Sequence, residues 1–329
     1  PESDHNHFRI SFETKIKQFA QNLYSILDTI SGRTSYFRYT QSERYSRIFN
    51  ILKYLYKEGL IEKAAWGFRH YHDAPSFFRC DITVPKGQNH DRRTIGYGFG
   101  KDPELAMLKA IGEFLERYFL MVGNKKDYVK SSYENLITKN ISALDPEKLF
   151  AFRENRRPQN LRKMPLFWVE GRRLENNKKI LIPAQLVYWY YREEDAALRE
   201  PNTNGAGGFY TTEGAILSGI YELVQRDSFL VHWLNKISPP RIRPESVPDK
   251  SFQDLVAETK RYGFEVYCLN TTTDLSIPSF ISVIIDPTGI GPYLVLAGGC
   301  EANPAKAMYR ALEEAWSIYY LIRPQTKLD

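Results

Sequence analysis

The segment Asn303-Pro-Ala-Lys-Ala-Met-Tyr-Arg310-Ala-Leu-Glu-Glu314 contains the pattern on which the fold prediction depends. Asn303 is a favoured N-cap and Pro304 is favoured at the first helical position, so a helix is predicted to begin here. Ala307, Ala311 and Glu314 follow at intervals of four and three, which places them on one face of that helix. Small residues on such a face let another backbone approach closely.

Two earlier segments have the same spacing. The first copy contains Ala106, Ala110, Glu113 and Glu116, the second contains Ala215, Gly219, Glu222 and Gln225, and the third continues to Ser317. Each copy is preceded by an N-cap residue: Asp102, Thr211 and Asn303. Before each N-cap lies a glycine cluster: Gly96–Gly100, Gly205–Gly208 and Gly298–Gly299. The sequence therefore predicts a mixed α/β (α+β) fold of pseudo-repeated units, each a glycine-rich strand or turn followed by a capped helix.

The rest of the chain supplies further elements. Amphipathic periodicity predicts two N-terminal helices, over residues 11–30 and 40–58. Short β-branched runs predict strands at residues 77–84, 179–182 and 279–285, separated by helical stretches. We divide the chain into an N-terminal helical region, 1–60, and a main domain, 61–329. Connections rich in Asn, Lys, Arg and Pro within residues 124–200 indicate loops or an inserted subdomain.

Composition excludes several classes of protein. The chain has 329 residues and a formal net charge of +6, with 26% charged and 43% hydrophobic residues, as in an ordinary globular protein. No apolar run is long enough to span a membrane and the N-terminus lacks the features of a secretory signal, so a cytoplasmic protein without membrane contact is predicted. The modest charge and the lack of a recognisable motif argue against nucleic-acid binding.

The cysteines and histidines give no sign of a nucleophile or a metal site. Cys80, Cys268 and Cys300 are odd in number and far apart, so neither a disulfide framework nor a zinc site is indicated. They are predicted to be buried free thiols without a neighbouring base. Structural or surface roles are predicted for His70, His72 and His232, with an acid–base role as the alternative.

The acidic residues of the three repeat helices suggest a site for a cation. If the helices converge, their carboxylates meet, and like charges repel unless a hard divalent cation such as Mg²⁺ lies among them. The arginines on the same helices, Arg117, Arg226 and Arg310, would then suit phosphate oxygens. The pattern predicts a Mg²⁺–nucleotide site without a Walker loop. The alternative is that these are exposed, salt-bridged helices, which explains any one copy but gives no reason for a shared register.

At these residues the sequence resembles the YcaO family. The turn Gly98-Phe-Gly100 with Glu113-Phe-Leu-Glu116-Arg117 is similar to the family's G-x-G turn and E-x-x-E-R helix. Asn204-Gly205-Ala206 with Glu222-Leu-Val-Gln225-Arg226-Asp227 resembles its N-G segment and its E-x-x-E/Q-R-D helix. The segment from Asn303 to Glu314 resembles the family's D-P…R-A-x-x-E helix. The order and separation of the motifs agree over roughly residues 60–322, which makes residues 61–329 a YcaO-like catalytic domain.

The resemblance implies an enzyme that uses ATP and Mg²⁺, and it implies a role for each matched residue. It implies these metal ligands: Glu113, Glu116, Glu222, Gln225 and Glu314. It implies these contacts to the ATP phosphates: Lys109, Arg117, Arg226 and Arg310. Among them it implies a catalytic group of four residues: Glu222, Arg226, Arg310 and Glu314.

Some positions depart from the family pattern. Lys109 stands where the first motif usually has Ser, and Gln225 stands where a second Glu is common. The family usually has a polar residue and a Glu near the ribose and adenine. The corresponding positions in this chain are Tyr210 and Gly214, and a Glu stands one position earlier, at Glu213. An N-terminal phosphate contact could come from Arg33 or Ser35.

The reaction implied by the resemblance is phosphorylation of a backbone amide oxygen in a ribosomally made peptide, after a nucleophile has added to the carbonyl. A Cys, Ser or Thr side chain of the substrate gives a thiazoline or oxazoline, whereas external sulfide gives a thioamide, and the residues do not separate these two products. The implied partners are the precursor peptide, a separate leader-binding protein of the E1-like type, and a second copy in a homodimer. A further alternative is an ATP-binding accessory protein without catalysis.

Overall fold

The computed structural model describes residues 41–71, 73–84, 94–121, 128–148, 160–189, 202–209 and 211–323. The predicted helix at 11–30 and the residues Arg33, Ser35, His72 and Tyr210 lie outside the described residues. No helix in the described part of the chain is long and apolar enough to cross a lipid bilayer.

Helices and antiparallel strands both occur along the described chain, as the mixed fold class predicts. The helices are α1 (Gln41–Lys57), α2 (Pro103–Met121), α3 (Tyr133–Thr138), α4 (Ala184–Val187), α5 (Thr212–Leu234), α6 (Lys250–Arg261) and α7 (Pro304–Ile322). The strands are β1 (Lys63–Tyr71), β2 (Ala74–Thr83), β3 (Thr94–Gly100), β4 (Val129–Ser131), β5 (Leu166–Arg172), β6 (Lys179–Pro183), β7 (Arg241–Ile242), β8 (Glu265–Asn270), β9 (Ser279–Ile285) and β10 (Leu294–Cys300).

The chain forms two compact units, one made of Pro1–Glu113 with Gly207–Asp329 and the other of Phe114–Ala206. In the first unit the strands form two antiparallel sheets, with the orders β1-β2-β3 and β10-β9-β8-β7. In the second unit β4-β5-β6 form a third antiparallel sheet. The range 124–200 falls inside the second unit; the inserted subdomain and the boundary at residue 60 stay predictions.

Helix α7 organises the core of the first unit, because it packs against β9 and β10 and also against β3 of the other sheet. Its Trp316 is fully buried and donates an indole N–H hydrogen bond to the hydroxyl of Thr259, at 3.0 Å. Phe77 and Phe99 stack with ring centroids 4.4 Å apart and join the same cluster. Aromatic rings contribute much of the buried apolar area here, which fixes α7 between the two sheets.

The second unit has a smaller core of its own, formed by Leu136, Leu161, Leu166 and Trp168. Trp168 on β5 is fully buried, and its indole N–H donates to the carbonyl of Ser131, at 2.8 Å. This bond satisfies the one polar group of the buried ring. Helix α2 crosses from the first unit to the second, since the boundary falls between Glu113 and Phe114.

Candidate active site

The three repeat helices begin as the sequence predicts. Each predicted N-cap side chain accepts a hydrogen bond from a backbone N–H in the first turn: Asp102 from Leu105 at 2.9 Å, Thr211 from Gly214 at 3.1 Å, and Asn303 from Lys306 at 3.1 Å. Pro103 and Pro304 occupy the first helical positions of α2 and α7. These caps satisfy N–H groups that the first turn of a helix would otherwise leave unpaired.

A glycine lies against the small-residue face of each helix, eight positions before the first alanine of that face. A Cβ atom added to any of these glycines would overlap a helix carbonyl oxygen. The distance from the added Cβ to the oxygen would be 1.8 Å from Gly98 to Ala106, 2.0 Å from Gly207 to Ala215, and 2.1 Å from Gly299 to Ala307. The close backbone approach predicted from the small residues is therefore confirmed. In the second copy the glycine segment, residues 202–209, forms turns and loops instead of a strand.

Helix α5 and helix α7 lie on opposite faces of the sheet that contains β10. Gly299 faces the backbone of α7, whereas a Cβ on the preceding Gly298 would lie 2.8 Å from the side chain of Gln225 on α5. Successive residues of a strand point to opposite faces, which accounts for the two contacts. The hydroxyl of Tyr221 also accepts a hydrogen bond from the N–H of Ala302, at 3.2 Å, and holds α5 against the connection between β10 and α7.

Two predicted site residues of α2 cover the free edge of β3. The N–H of Tyr97 donates to Glu113 Oε2 at 2.6 Å, and Lys109 Nζ donates to the carbonyl of Phe99 at 2.9 Å. Glu113 and Lys109 are one helical turn apart, so both reach the strand that runs beside them. Unpaired groups on an edge strand attract other strands unless they are covered. Glu113, predicted as a metal ligand, thus has one carboxylate oxygen engaged in a structural bond.

Lys109 also forms an ion pair with Glu313 on α7, through Glu313 Oε2. Glu313 is only 8% exposed, and sequence reasoning missed it because the residue lies outside the four-and-three spacing that singled out Glu314. The one available signal was Lys109 itself, a basic residue among small and apolar neighbours on a helix face that packs on a strand. The pair joins the first repeat helix to the third.

Changing Lys109 to Met is expected to destabilise the protein by about 2 kcal/mol, because it leaves the buried Glu313 carboxylate without a cation. A double-mutant cycle with Glu313→Gln should give a coupling energy of about 1–2 kcal/mol, reduced from that of a fully buried pair because the Lys109 side chain is 38% exposed. Urea unfolding of the unchanged protein, the two single variants and the double variant measures this coupling energy. Additive effects of the two substitutions would show that the ion pair contributes nothing.

Glu314, the predicted ligand of α7, has an exposed side chain, but protein atoms crowd its carboxyl group and displace part of its hydration. Burial raises the pKa of its carboxyl group, and the negative charge of Glu313 adds to the rise. The positive charges of Lys109 and Arg310 act in the opposite direction. This environment favours a cation next to the carboxylate, since a positive charge restores its ionised form.

In the first unit, each side chain that is predicted to contact the ATP phosphates forms an ion pair with a carboxylate. Arg226 donates from Nε and Nη2 to Glu222 Oε1, at 3.0 and 2.8 Å, one turn apart on α5. Arg310 pairs through Nη1 with Glu301, the residue that follows β10. With Lys109 and Glu313, this makes three cation–carboxylate pairs along the repeat helices. Each guanidinium therefore already has a carboxylate partner before any ligand binds.

Glu116 and Arg117 belong to the second unit and are described within it. They follow Glu113 by three and four positions on the continuous helix α2, which places the three residues on one helix face. The guanidinium of Arg117 lies over the ring of Trp189, 5.8 Å from its centroid. A cation stacked on an indole ring loses little freedom when it binds an anion, because its plane is already fixed.

The side-chain oxygens of the predicted metal ligands suit Mg²⁺, which prefers carboxylate and amide oxygens. Glu222 and Glu314 supply carboxylates, and Gln225 supplies an amide that lies close to Gly298. In the described ranges, no three His, Cys, Asp or Glu side chains stand close enough together to form a metal centre. The assignment of individual metal ligands therefore stays a prediction.

A cavity of about 670 Å³ lies elsewhere in the first unit, beside β7 and β8, where its lining includes Arg241, Arg243, Lys260 and Tyr267. None of the predicted site residues lines it. Gly214 is one of the two positions that the family resemblance places near the ribose and adenine, and a Cβ there would lie 2.1 Å from the Phe209 ring. Any larger side chain at position 214 would have to displace that ring.

The cysteines are buried free thiols, as predicted. Burial raises the pKa of each thiol: Cys80 to about 12, Cys268 to about 11 and Cys300 to about 11. A thiol must ionise to act as a nucleophile, so none of the three is activated. His232 has its Nδ1 within 2.8 Å of the Ser228 carbonyl on its own helix, in keeping with the structural role predicted for it.

Comparison with known proteins identifies the family. A family model described as YcaO cyclodehydratase, ATP- and Mg²⁺-binding, matches residues 97–325, which is well over half of the chain. The chain belongs to the YcaO family. The matched range includes all three repeat helices and every site residue predicted on them, but not Arg33 or Ser35. The predictions of the YcaO family and of ATP and Mg²⁺ as cofactors are confirmed.

Two curated relatives resemble the chain. An uncharacterized protein from the tfuA 3′ region of Rhizobium leguminosarum bv. trifolii is 26% identical over 239 residues, which cover 69% of this chain and 55% of that protein. An uncharacterized protein of Methanothermobacter thermautotrophicus is 24% identical over 155 residues, which cover 46% of this chain and 40% of that protein. The chain thus spans about half the length of the curated relatives it matches.

Solved structures show the same fold. A heterocyclase in complex with substrate and cofactor has a TM-score of 0.71 at 21% identity, covering 86% of this chain and 41% of that one. YcaO from Methanopyrus kandleri, bound with AMPPCP and Mg²⁺, has a TM-score of 0.57 at 17% identity, covering 82% and 66%. The Escherichia coli microcin synthetase McbBCD complex with pro-MccB17 bound has a TM-score of 0.59 at 15% identity, covering 78% and 64%. The predicted YcaO-like fold is confirmed, and the YcaO domain supports an ATP-dependent enzyme of the cyclodehydratase type.

Proposed function

We propose that this YcaO domain is an ATP- and Mg²⁺-dependent cyclodehydratase that forms thiazoline or oxazoline rings in a ribosomally made peptide. The observation that carries the proposal is that the repeat helices supply three cation–carboxylate pairs, all within the residues that match the family. Paired charges of this kind can exchange partners when ATP and Mg²⁺ bind, since carboxylates prefer the metal and guanidinium groups prefer phosphate.

In this proposal the residues have the following roles. The Mg²⁺ ligands are Glu113, Glu116, Glu222, Gln225 and Glu314. The phosphate contacts are Lys109, Arg117, Arg226 and Arg310. The residues that act on the reacting phosphoryl group are Glu222, Arg226, Arg310 and Glu314. Bound Mg²⁺ would neutralise charge on the ATP phosphates, while the side chains orient the nucleotide and exclude water.

The proposed reaction needs no nucleophile from the enzyme, which agrees with the raised pKa values of the buried thiols. The thiol or hydroxyl group of a Cys, Ser or Thr in the peptide loses its proton to water and adds to the preceding carbonyl carbon, which closes a five-membered ring and gives a tetrahedral oxyanion. The oxyanion takes the γ-phosphoryl group, and ADP leaves. The amide nitrogen then loses its proton, the C–O bond breaks with release of phosphate, and a C=N bond forms within the ring that the addition step closed. Fixed positions of the reacting groups account for most of the acceleration.

A thioamide-forming activity is the alternative, because the same phosphorylation can follow attack by external sulfide. The partners we propose are a precursor peptide, a separate leader-binding protein of the E1-like type and a second copy of the chain. The microcin synthetase complex, solved with pro-MccB17 bound, supports a peptide substrate and partner proteins. An accessory protein that binds ATP without catalysis is the remaining alternative, and Gln225 and Gly214 favour it because they replace polar or acidic residues of the family.

The experiment is Mg²⁺-dependent ATP hydrolysis with and without the peptide encoded beside the gene, followed by the mass of that peptide. We expect hydrolysis that depends on the peptide and a peptide that has lost one water for each ring. Exchange of oxygen for sulfur would indicate the thioamide reaction instead. ATP binding without peptide-dependent hydrolysis, also in the presence of a leader-binding protein, would contradict catalysis and leave the accessory role.

A further inference from the structure

The cavity beside β7 and β8 is lined by none of the residues that are predicted to bind ATP or Mg²⁺. Its volume of about 670 Å³ lies in the range of sites that enclose a small organic molecule. Three buried apolar residues, Pro244, Phe264 and Val266, contribute to its wall. A wall of this kind suits a ligand that has an apolar body as well as a polar group.

The two carboxylates in the cavity wall already have partners within the protein. Glu245 accepts a hydrogen bond from Lys260 Nζ, at 2.6 Å, and Glu265 accepts one from the hydroxyl of Tyr267. The bond from Lys260 lowers the pKa of the Glu245 carboxyl group, and the positive charge of Arg241 adds to the lowering. Both carboxylates are therefore bound by other side chains and leave the nearby arginines unmatched.

The unmatched groups are the guanidinium groups of Arg241 and Arg243. Neither arginine forms an ion pair with any residue that the structure describes, and both are exposed where they line the cavity. They are two positions apart in extended backbone, so their side chains point to the same side of the chain. The cavity thus has two positive charges next to each other that no carboxylate neutralises.

The orientation of Arg241 is restricted by an aromatic ring. Its guanidinium lies over the ring of Tyr267, 4.2 Å from the centroid, and Glu265 holds the hydroxyl of that ring. A guanidinium stacked on a ring keeps the N–H groups at its rim available, because the ring contacts only the flat face. Arg241 can therefore donate to an anion without giving up this contact.

The backbone of β8 offers further hydrogen-bonding groups at the same place. Asn270 donates its N–H to the carbonyl of Pro240 at 2.8 Å, just before β7 begins. Alternate residues of a strand direct their backbone groups to the same edge, so the N–H and C=O of Val266 point to this side as well. Strand β7 ends at Ile242, and the register places Pro244, which has no N–H, opposite Val266. One backbone donor and one acceptor thus face the cavity beside the arginines.

We propose that this cavity is a second ligand site, which binds a phosphate monoester through Arg241 and Arg243 and holds the ligand's apolar body against Phe264 and Val266. A phosphate monoester carries a charge of about −1.5 to −2 at pH 7, which matches two guanidinium groups, whereas a single carboxylate matches one. No residue of the proposed active site takes part. The failure of this proposal would therefore leave the proposed reaction untouched, and the reverse also holds.

The test is calorimetric titration of the whole chain with phenyl phosphate, in the presence of excess AMPPCP and Mg²⁺ to occupy the ATP site. We expect a dissociation constant of about 1 mM or lower. Arg241→Gln and Arg243→Gln should each weaken binding at least about 10-fold, because each removes a charged hydrogen bond to the phosphate. Both arginines are exposed, so circular dichroism should show a preserved fold. Arg261→Gln removes the same charge at an exposed position outside the cavity wall, and this matched control should bind normally.

Two further probes test the chemical class of the ligand. Benzoate keeps the ring but carries one charge, and inorganic phosphate keeps the charge but lacks the ring, so each should bind at least about fivefold more weakly than phenyl phosphate. Equal affinity for either probe would overturn the assignment to a phosphate monoester. Absence of phenyl phosphate binding at about 10 mM, or equal binding by the unchanged protein and the Arg241→Gln and Arg243→Gln variants, would overturn the site itself. An equal loss in Arg261→Gln would show a general effect of surface charge and would also overturn it.

Discussion

Replacing Gly299 with alanine is expected to destabilise the protein by at least about 3 kcal/mol, a large share of the roughly 5–15 kcal/mol by which folded proteins are stable. The added Cβ would lie 2.1 Å from the Ala307 carbonyl oxygen and 2.7 Å from the Ala311 backbone nitrogen. Both are backbone atoms of α7, whose Trp316 and Tyr319 are fully buried in the core. Relief of the clash would require α7 to move away from β10 and open that core. Urea unfolding followed by circular dichroism measures the loss.

The matched control is Gly112→Ala, in the middle of α2. No atom outside the local helix backbone lies within 4 Å of a Cβ at this position, so the extra methyl group meets no obstacle. Alanine restricts the unfolded chain more than glycine does, and this substitution should stabilise the protein by about 0.5–1 kcal/mol. If Gly299→Ala were as stable as the unchanged protein, β10 and α7 would not be in backbone contact, and our explanation of the small-residue repeat would be wrong.

The repeat helices could be predicted from sequence because their signals are local. An N-cap, a proline at the first helical position and residues at intervals of four and three are all read within one helix. Gly98 and Gly299 could be connected to their helices for the same reason, since glycine and alanine are only eight positions apart. The caps and the close approaches are confirmed by the structure.

Contacts between distant segments could not be predicted in this way. Lys109 and Glu313 are 204 positions apart, and the pair forms only because α7 packs against β3. The bond between the Tyr97 N–H and Glu113 depends on β3 being the edge strand of its sheet, which the strand order decides. The sequence therefore singled out Lys109 and Glu113 as site residues without indicating the structural bonds that they make.

Changing Glu222 to Gln is expected to lower the kcat of peptide-dependent ATP hydrolysis by about 10²–10³-fold. The amide keeps the shape of the side chain but removes the negative charge that would bind Mg²⁺ and that holds Arg226. Arg310→Ala should have an effect of similar or larger size, because in the proposed site it removes a cation that would face the phosphates as charge develops on them. Both variants are compared at saturating ATP in a coupled assay, with the peptide present.

Stability measurements separate this catalytic effect from a loss of fold. The Glu222–Arg226 and Arg310–Glu301 pairs are partly exposed, with the two arginine side chains 49% and 54% exposed, and such pairs change the free energy of unfolding by no more than about 1 kcal/mol. Asp254→Asn, in an exposed ion pair with Lys250 on α6, is the matched control and should keep normal activity. Folded Glu222→Gln and Arg310→Ala proteins with activity within about threefold of normal would rule out an active site at the repeat helices. The charge pairs would then be surface features of helices that share a register only because each packs against a glycine.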